Sequence, residues 1–160
     1  MIPFFGKKQR YSIGRMNVVH VRQCAILHAS AFASAWSEAE FESMLLDPKT
    51  IADCATDGKG GAVVGFMISR IIGDEGEILM LAVSERWRRV GVGRALLRQQ
   101  IEAAAAAGVR SLFLEVAENN SPAVVLYSKF GFRQIGRRNA YYAASDGMRL
   151  AALTMKLELP

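Results

Sequence analysis

This 160-residue sequence predicts an α/β (α+β) fold: a mixed, mostly antiparallel sheet with helices on both faces. Three observations carry that reading. Apolar runs at residues 51–56, 62–72 and 77–83 are separated only by glycine-rich turns at 57–61 and 73–76, the pattern of antiparallel strands. A long alanine-rich helical segment, 92–107, stands between two apolar strands. Helical segments also precede the first three runs and follow the fourth, and two more strands end the chain.

The elements follow in order. Residues 1–10 read as a flexible arm ahead of one domain spanning 11–160, and a short strand covers 11–15. Residues 19–32 place Val21, Cys24, Ile26, Leu27 and Ala31 at helical spacing. A second helix starts at Ser37, because Ser37-x-x-Glu40 is a capping box. Phe41, Met44 and Leu45 form its buried stripe, and Asp47-Pro48 stops it. After the three strands, the helix at 92–107 ends at Gly108, a glycine C-cap. A strand at 111–116 leads to a helix at 121–130 with Pro122 in its first turn. Strands at 133–142 and 150–159 close the domain, with no internal repeat and no linker.

Size and charge narrow the function classes. A chain this long buries its own core without disulfides or metal. Cys24 and Cys54 are too few and too far apart in sequence for a disulfide framework or a zinc site, and read as free thiols of a reducing compartment. No apolar run approaches the ~20 residues of a membrane span, and the first ten residues carry too short an apolar piece for a signal peptide. A cytoplasmic protein is the expectation. His20 and His28 are expected to face outward or to complete the first helix, and no metal site is expected. The net charge of +5 and a pI near 9.5 favour polyanionic ligands. The arginines cluster at 86–98 and 133–138 without interleaved aromatics, so a nucleic-acid platform is the minor reading.

Chemistry concentrates at Arg88-Arg89-Val90-Gly91-Val92-Gly93, between an apolar strand and a helix. Alternate glycines leave bare backbone N–H groups at a helix start, where the macrodipole adds positive potential. Such a turn wraps a pyrophosphate. A dinucleotide fingerprint shares part of this pattern, but Leu96 stands where its third glycine belongs, and a polar segment at 84–90 intervenes after the strand.

With this turn come Leu114-Glu115-Val116, then Asn120-x-x-Ala123-x-x-Leu126-Tyr127, then Gly131-Phe132. Together these motifs resemble the GCN5-related N-acetyltransferase superfamily, and within it the RimI-type ribosomal-protein alanine N-acetyltransferases. Trp36-Ser37-Glu38 and the pair Tyr141-Tyr142 match further segments of that type, so the resemblance covers roughly residues 11–158. It implies acetyl-CoA as co-substrate, no metal, and direct transfer to a protein N-terminal α-amine, such as alanine of a small-subunit ribosomal protein. It implies a splayed central strand pair whose backbone at Leu81, Ala82 and Val83 meets the thioester and its pantetheine arm. Phosphate contacts fall to Arg88, Arg89, Val90, Gly91, Val92, Gly93 and Arg94, and Asn120 bonds the cofactor's amides. Glu115 is the implied base, and Tyr127 the proton donor to the leaving thiol. Trp36, Tyr141 and Tyr142 would line the acceptor side.

These roles suit the chemistry. An α-amine with a pKa near ~8 must lose a proton before it attacks, and a thiolate with a pKa of ~8.5 leaves more readily when protonated. Glu115 among Leu112, Phe113, Leu114 and Val116 would be partly desolvated, although a strand glutamate alternating with Phe113 also suits a solvent-facing position. The sequence departs from the RimI pattern on the acceptor side. Ala35 replaces a proline, Met80 an asparagine, and Arg149-Leu150 an acidic pair. Acetylation of a small amine or a lysine side chain therefore stays open, as does a non-catalytic basic module that docks on ribosome or RNA.

Overall fold

The protein is seen as a computed structural model describing residues 10–58, 61–143 and 149–160, and side chains outside 140–149. Residues 1–9 of the expected arm lie outside this range. Among the described residues seven strands share one sheet: β1 (Tyr11–Arg15), β2 (Thr50–Asp57), β3 (Val63–Ile72), β4 (Glu75–Val83), β5 (Ser111–Ala117), β6 (Arg133–Ala143) and β7 (Arg149–Glu158). They lie in the order β1-β2-β3-β4-β5-β7-β6. Every neighbouring pair is antiparallel except β4 and β5, which are parallel because a helix crosses over between them.

The helices are α1 (Val21–Ala31), α2 (Glu38–Leu46), α3 (Val92–Ala106) and α4 (Ser121–Lys129). Helix α3 buries Val92, Leu96, Leu97, Gln100 and Ala104, one stripe at helical spacing. That stripe, with Tyr127 of α4, packs on Met67, Ile78, Leu112, Leu114 and Val116. The opposite face holds a second core, in which Val21 and Cys24 of α1 and Phe41 of α2 meet Cys54, Phe66, Ile68 and Met80. Helices thus cover both faces, as the element order requires.

Two boundaries differ from expectation. Residues 18–20 form a 3-10 turn ahead of α1, held by reciprocal bonds of Asn17 Oδ1 with Val19 N (3.0 Å) and of His20 Nδ1 with Asn17 N (3.1 Å). Strand β4 begins at Glu75, because Gly73 at φ 63° closes the hairpin with Asp74 alone, and Ile72 pairs directly with Glu75.

A buried polar network ties α3 to the sheet. Gln100 Nε2 donates to Asp53 Oδ2 (2.6 Å) on β2, and Ser69 Oγ on β3 donates to Gln100 Oε1 (2.5 Å). Arg15 on β1 stands 3.5 Å from Asp53 Oδ1. Burial pushes the Asp53 carboxyl above its ordinary pKa, while the Gln100 bond and the Arg15 charge pull the other way.

Candidate active site

The sheet opens at its centre. Strands β4 and β5 pair only over Glu75–Ile78 and Ser111–Leu114, and beyond Ile78 and Leu114 they separate. A bulge starts the opening: Ile68 pairs with Met80 and Ser69 with Ile78, so Leu79 is the extra residue. Its effect shows in the packing. Ile78 belongs to the α3–α4 core, Leu79 and Met80 both turn to the α1–α2 core, and Leu81 and Val83 return to the first.

Past the bulge the backbone directions follow from one bond. Ser84 N donates to Val64 O (2.8 Å), so Ser84 and, two residues back, Ala82 direct their main-chain groups at β3. Leu81 and Val83 point theirs the other way, into the opening. The expected stretch 81–83 therefore offers its two ends to a ligand, while Ala82 bonds within the sheet. Arg88 Nε reaches back to Val83 O (3.3 Å) and helps fix the turn beneath it.

That turn carries two left-handed residues, Arg89 at φ 61° and Gly91 at φ 95°. Arg89 is the one non-glycine at positive φ among the described residues, a conformation that costs a side chain about 1 kcal/mol or more. A Cβ on Gly91 would also lie 3.2 Å from the Tyr11 hydroxyl. Gly93 sits within the first turn of α3, where a Cβ would meet only ordinary contacts with Leu126, Val83 and Leu81. Helices α2 and α4 start with side-chain caps from Ser37 and Asn120; α3 has none, and no acid lies in its first turn. The N–H groups of Val92, Gly93 and Arg94 thus lead outward at a positive helix end. Beside it a groove of about 660 Å³ between α3 and α4 is edged by Arg94, Arg98 and Lys129 over Leu126 and Phe130. Arg98 and Lys129 were not singled out by the motif, although helical spacing from Arg94 places Arg98 beside it.

On α4, Asn120 Oδ1 accepts from Ala123 N (3.4 Å), so this side chain caps the helix. Tyr127 is buried, its ring edge against Phe132 with centroids 5.6 Å apart. Leu114 and Val116 share that core, so Glu115 between them projects from the opposite face. Glu115 and Tyr127 therefore lie on opposite faces of the sheet.

Glu115 has a side chain 22% exposed, and its Oε1 accepts from Arg138 Nη2 at 2.8 Å. Arg138, on β6, reaches across β7 at the small residues Ala152 and Thr154, which pair with Arg138 and Glu115 respectively. Nothing adjacent in sequence pointed to Arg138, which is 23 residues away and two strands over. Just beyond β5, Arg137 holds the Glu118 carboxyl below its ordinary pKa through a hydrogen bond, and at the closed end of the seam Lys156 and Ser111 do the same for Glu158.

Residues 21–132 match the acetyltransferase (GNAT) family. The [ribosomal protein bS18]-alanine N-acetyltransferase of Escherichia coli K12 is 35% identical over 129 residues, which span 81% of this chain and 84% of that protein. The chain belongs to the GNAT acetyltransferase family. The crystal structure of the ribosomal-protein-S18-alanine N-acetyltransferase from Escherichia coli superposes with a TM-score of 0.83 at 30% identity, covering 92% of this chain and 93% of that one. Arabidopsis thaliana NAA60, solved in complex with acetyl-CoA, shares the fold at a TM-score of 0.81 and 20% identity, over 93% of this chain and 98% of its own.

In this acetyltransferase Trp36 lies on the α1–α2 connection and lines a second groove with Met44, Arg70 and the bulge residue Leu79. Of the two expected positions for His28, the structure shows completion of the first helix rather than an outward face: it lies in the last turn of α1 and is 1% exposed. Its Nδ1 accepts from Trp36 N at 3.0 Å, and its ring packs among Phe32, Trp36 and Phe41. The cause is the run of aromatics that closes over the end of α1, which periodicity within the helix does not reveal. Burial lowers the His28 pKa, the nearby Glu40 charge opposing it. The side chains of Tyr141 and Tyr142 lie outside the described residues. Burial pushes the thiols of Cys24 and Cys54 up to about 12 and about 11, so neither is a nucleophile at neutral pH.

Proposed function

We propose that this acetyltransferase moves the acetyl group of acetyl-CoA directly to the α-amine of a protein N-terminus, alanine of a small-subunit ribosomal protein being the favoured acceptor, in the cytoplasm. The observation that carries this reading is the open β4–β5 seam with Glu115 on one face and Tyr127 on the other. A co-substrate entering from the α3–α4 face and an amine entering from the opposite face meet at that seam. The named activity of the Escherichia coli relative supports the choice of acceptor.

The residues fit an acyl-CoA. The uncapped α3 start and the left-handed turn suit a pyrophosphate: Val90, Gly91, Val92 and Gly93 offer backbone, and Arg88, Arg89 and Arg94 add positive charge. Arg98 and Lys129 extend that charge along the groove. Leu81 and Val83 pair with the pantetheine arm as an added half-strand, and one of their N–H groups donates to the thioester carbonyl oxygen. The amide of Asn120 meets a pantetheine carbonyl. Glu115 takes the proton from the acceptor amine, whose nitrogen forms the new C–N bond as the C–S bond breaks. Tyr127 gives its hydroxyl proton to the departing sulfur. Trp36 walls the acceptor side.

The test is turnover of acetyl-CoA with a peptide beginning in alanine, against free polyamines and a lysine-containing peptide with a blocked N-terminus. Mass spectrometry locates the acetyl group. Acetylation at the α-amine is expected. Acetyl on lysine or polyamine alone, or tight RNA binding without any turnover, overturns the reading.

A further inference from the structure

The turn before α3 is held from two sides. On the seam side, Gly93 faces Leu126, Val83 and Leu81, and Arg88 Nε bonds to Val83 O. On the other side stands Tyr11, the first residue of β1 at one edge of the sheet. Its ring meets that of Trp87 edge to face, with centroids 6.4 Å apart and planes at 90°. Its hydroxyl lies 3.2 Å from where a Cβ on Gly91 would stand. One side chain thus reaches the turn at its start, in the 3-10 segment Glu85–Trp87, and at its end, where α3 begins. Tyr11 and Trp87 both pack on the α3–α4 core, which anchors this contact to the body of the domain. Between the two ends lies Arg89 at φ 61°, and α3 has no side-chain cap to set the geometry. A strained residue keeps such a conformation only where its surroundings over-determine it.

Resting on the reading that this turn holds the phosphates of acetyl-CoA, we propose that Tyr11 is a positioning residue for the cofactor. It braces the turn from the side away from the seam, so that the amides at the start of α3 hold their phosphate-binding geometry before the ligand arrives. Amides ordered in advance lose less entropy on binding, and the affinity is higher for it. The thioester end of the donor is held elsewhere, on the backbone of Leu81 and Val83. Loss of the brace is therefore felt by a donor that carries phosphates and not by one that lacks them.

The experiment compares kcat/KM for two donors, acetyl-CoA and the phosphate-free S-acetyl-pantetheine, with any acceptor that the enzyme acetylates. The wild type is expected to favour acetyl-CoA strongly. Tyr11→Leu keeps an apolar side chain on β1 and removes the ring and the hydroxyl. It should lower kcat/KM for acetyl-CoA about tenfold, the upper worth of an aromatic pair, and leave that for acetyl-pantetheine unchanged. Tyr11→Phe retains the ring edge on Trp87 and should keep most of the preference. Because each ratio of donors is taken within one variant, a partly unfolded population does not alter it. A donor ratio in Tyr11→Leu equal to that of the wild type overturns the inference alone. A wild type that uses both donors equally well overturns the phosphate reading of the turn, and this inference with it.

Discussion

His28→Phe tests one hydrogen bond beside Trp36, on the proposed acceptor side. Phenylalanine keeps a ring against Phe32, Trp36 and Phe41, and removes both ring nitrogens, among them the Nδ1 that accepts from Trp36 N at 3.0 Å. Leaving that N–H without its acceptor costs about 1–2 kcal/mol. For a chain of this size each kcal/mol moves Tm by roughly 2–4 °C, so a loss of about 2–8 °C at pH 7.5 is expected. The gap should depend on pH. Burial lowers the His28 pKa from its ordinary 6.5, so its stabilising contribution is present above that value and is lost as pH falls through the lowered one. Phenylalanine has no such dependence, and the difference in Tm should narrow toward pH 5. Because Trp36 is the group released, KM for the acceptor should rise severalfold while KM for acetyl-CoA holds. Equal melting at pH 7.5, or a gap unchanged at pH 5, refutes the argument.

Glu115→Gln should keep acetyl-CoA affinity by calorimetry and lose about 10²–10⁴ in kcat, the usual share of a positioned base; near-normal kcat at neutral pH removes Glu115 from the chemistry. Tyr127→Phe retains the ring edge on Phe132 and should lower kcat about tenfold or more while acetyl-CoA affinity holds; full turnover rules out the proton donor. Gly91→Ala places a Cβ at φ 95° and 3.2 Å from the Tyr11 hydroxyl, a strain of about 1–2 kcal/mol. Acetyl-CoA should then bind about tenfold more weakly in calorimetry, and unchanged affinity would show that this turn does not hold the phosphates.

The order of elements was legible because each is locally self-announcing. The Ser37–Glu40 capping box does form, α3 ends beside Gly108 as expected, and the 3.6-residue stripe from Val92 to Ala104 is the buried one. The glycine turn before α3 was equally visible, since glycine spacing is a property of consecutive residues. What could not be read were partnerships between strands distant in sequence. Arg138 finds Glu115 only because β7 inserts between β5 and β6 and presents small side chains along the way. Asp53 and Gln100 looked like ordinary polar residues of a strand and a helix, and only packing reveals that both are sealed beneath α3. The burial of His28 was hidden for the same reason: it depends on Trp36 and Phe41, which lie beyond the end of its own helix.

Strand pairing between the two halves of the sheet is limited to four residue pairs, from Glu75 with Ser111 to Ile78 with Leu114. Those pairs lie at one end of the two strands, where any twist between the halves would pivot. Five residues separate Ile78 from Val83, roughly 16 Å of strand, so a twist of about 10° at those pairs would swing the far tip by roughly 3 Å. Small changes in leverage at Gly76 and Leu112, where a Cβ on the glycine would come within 2.6 Å of the leucine, are therefore magnified at the jaws where chemistry would take place.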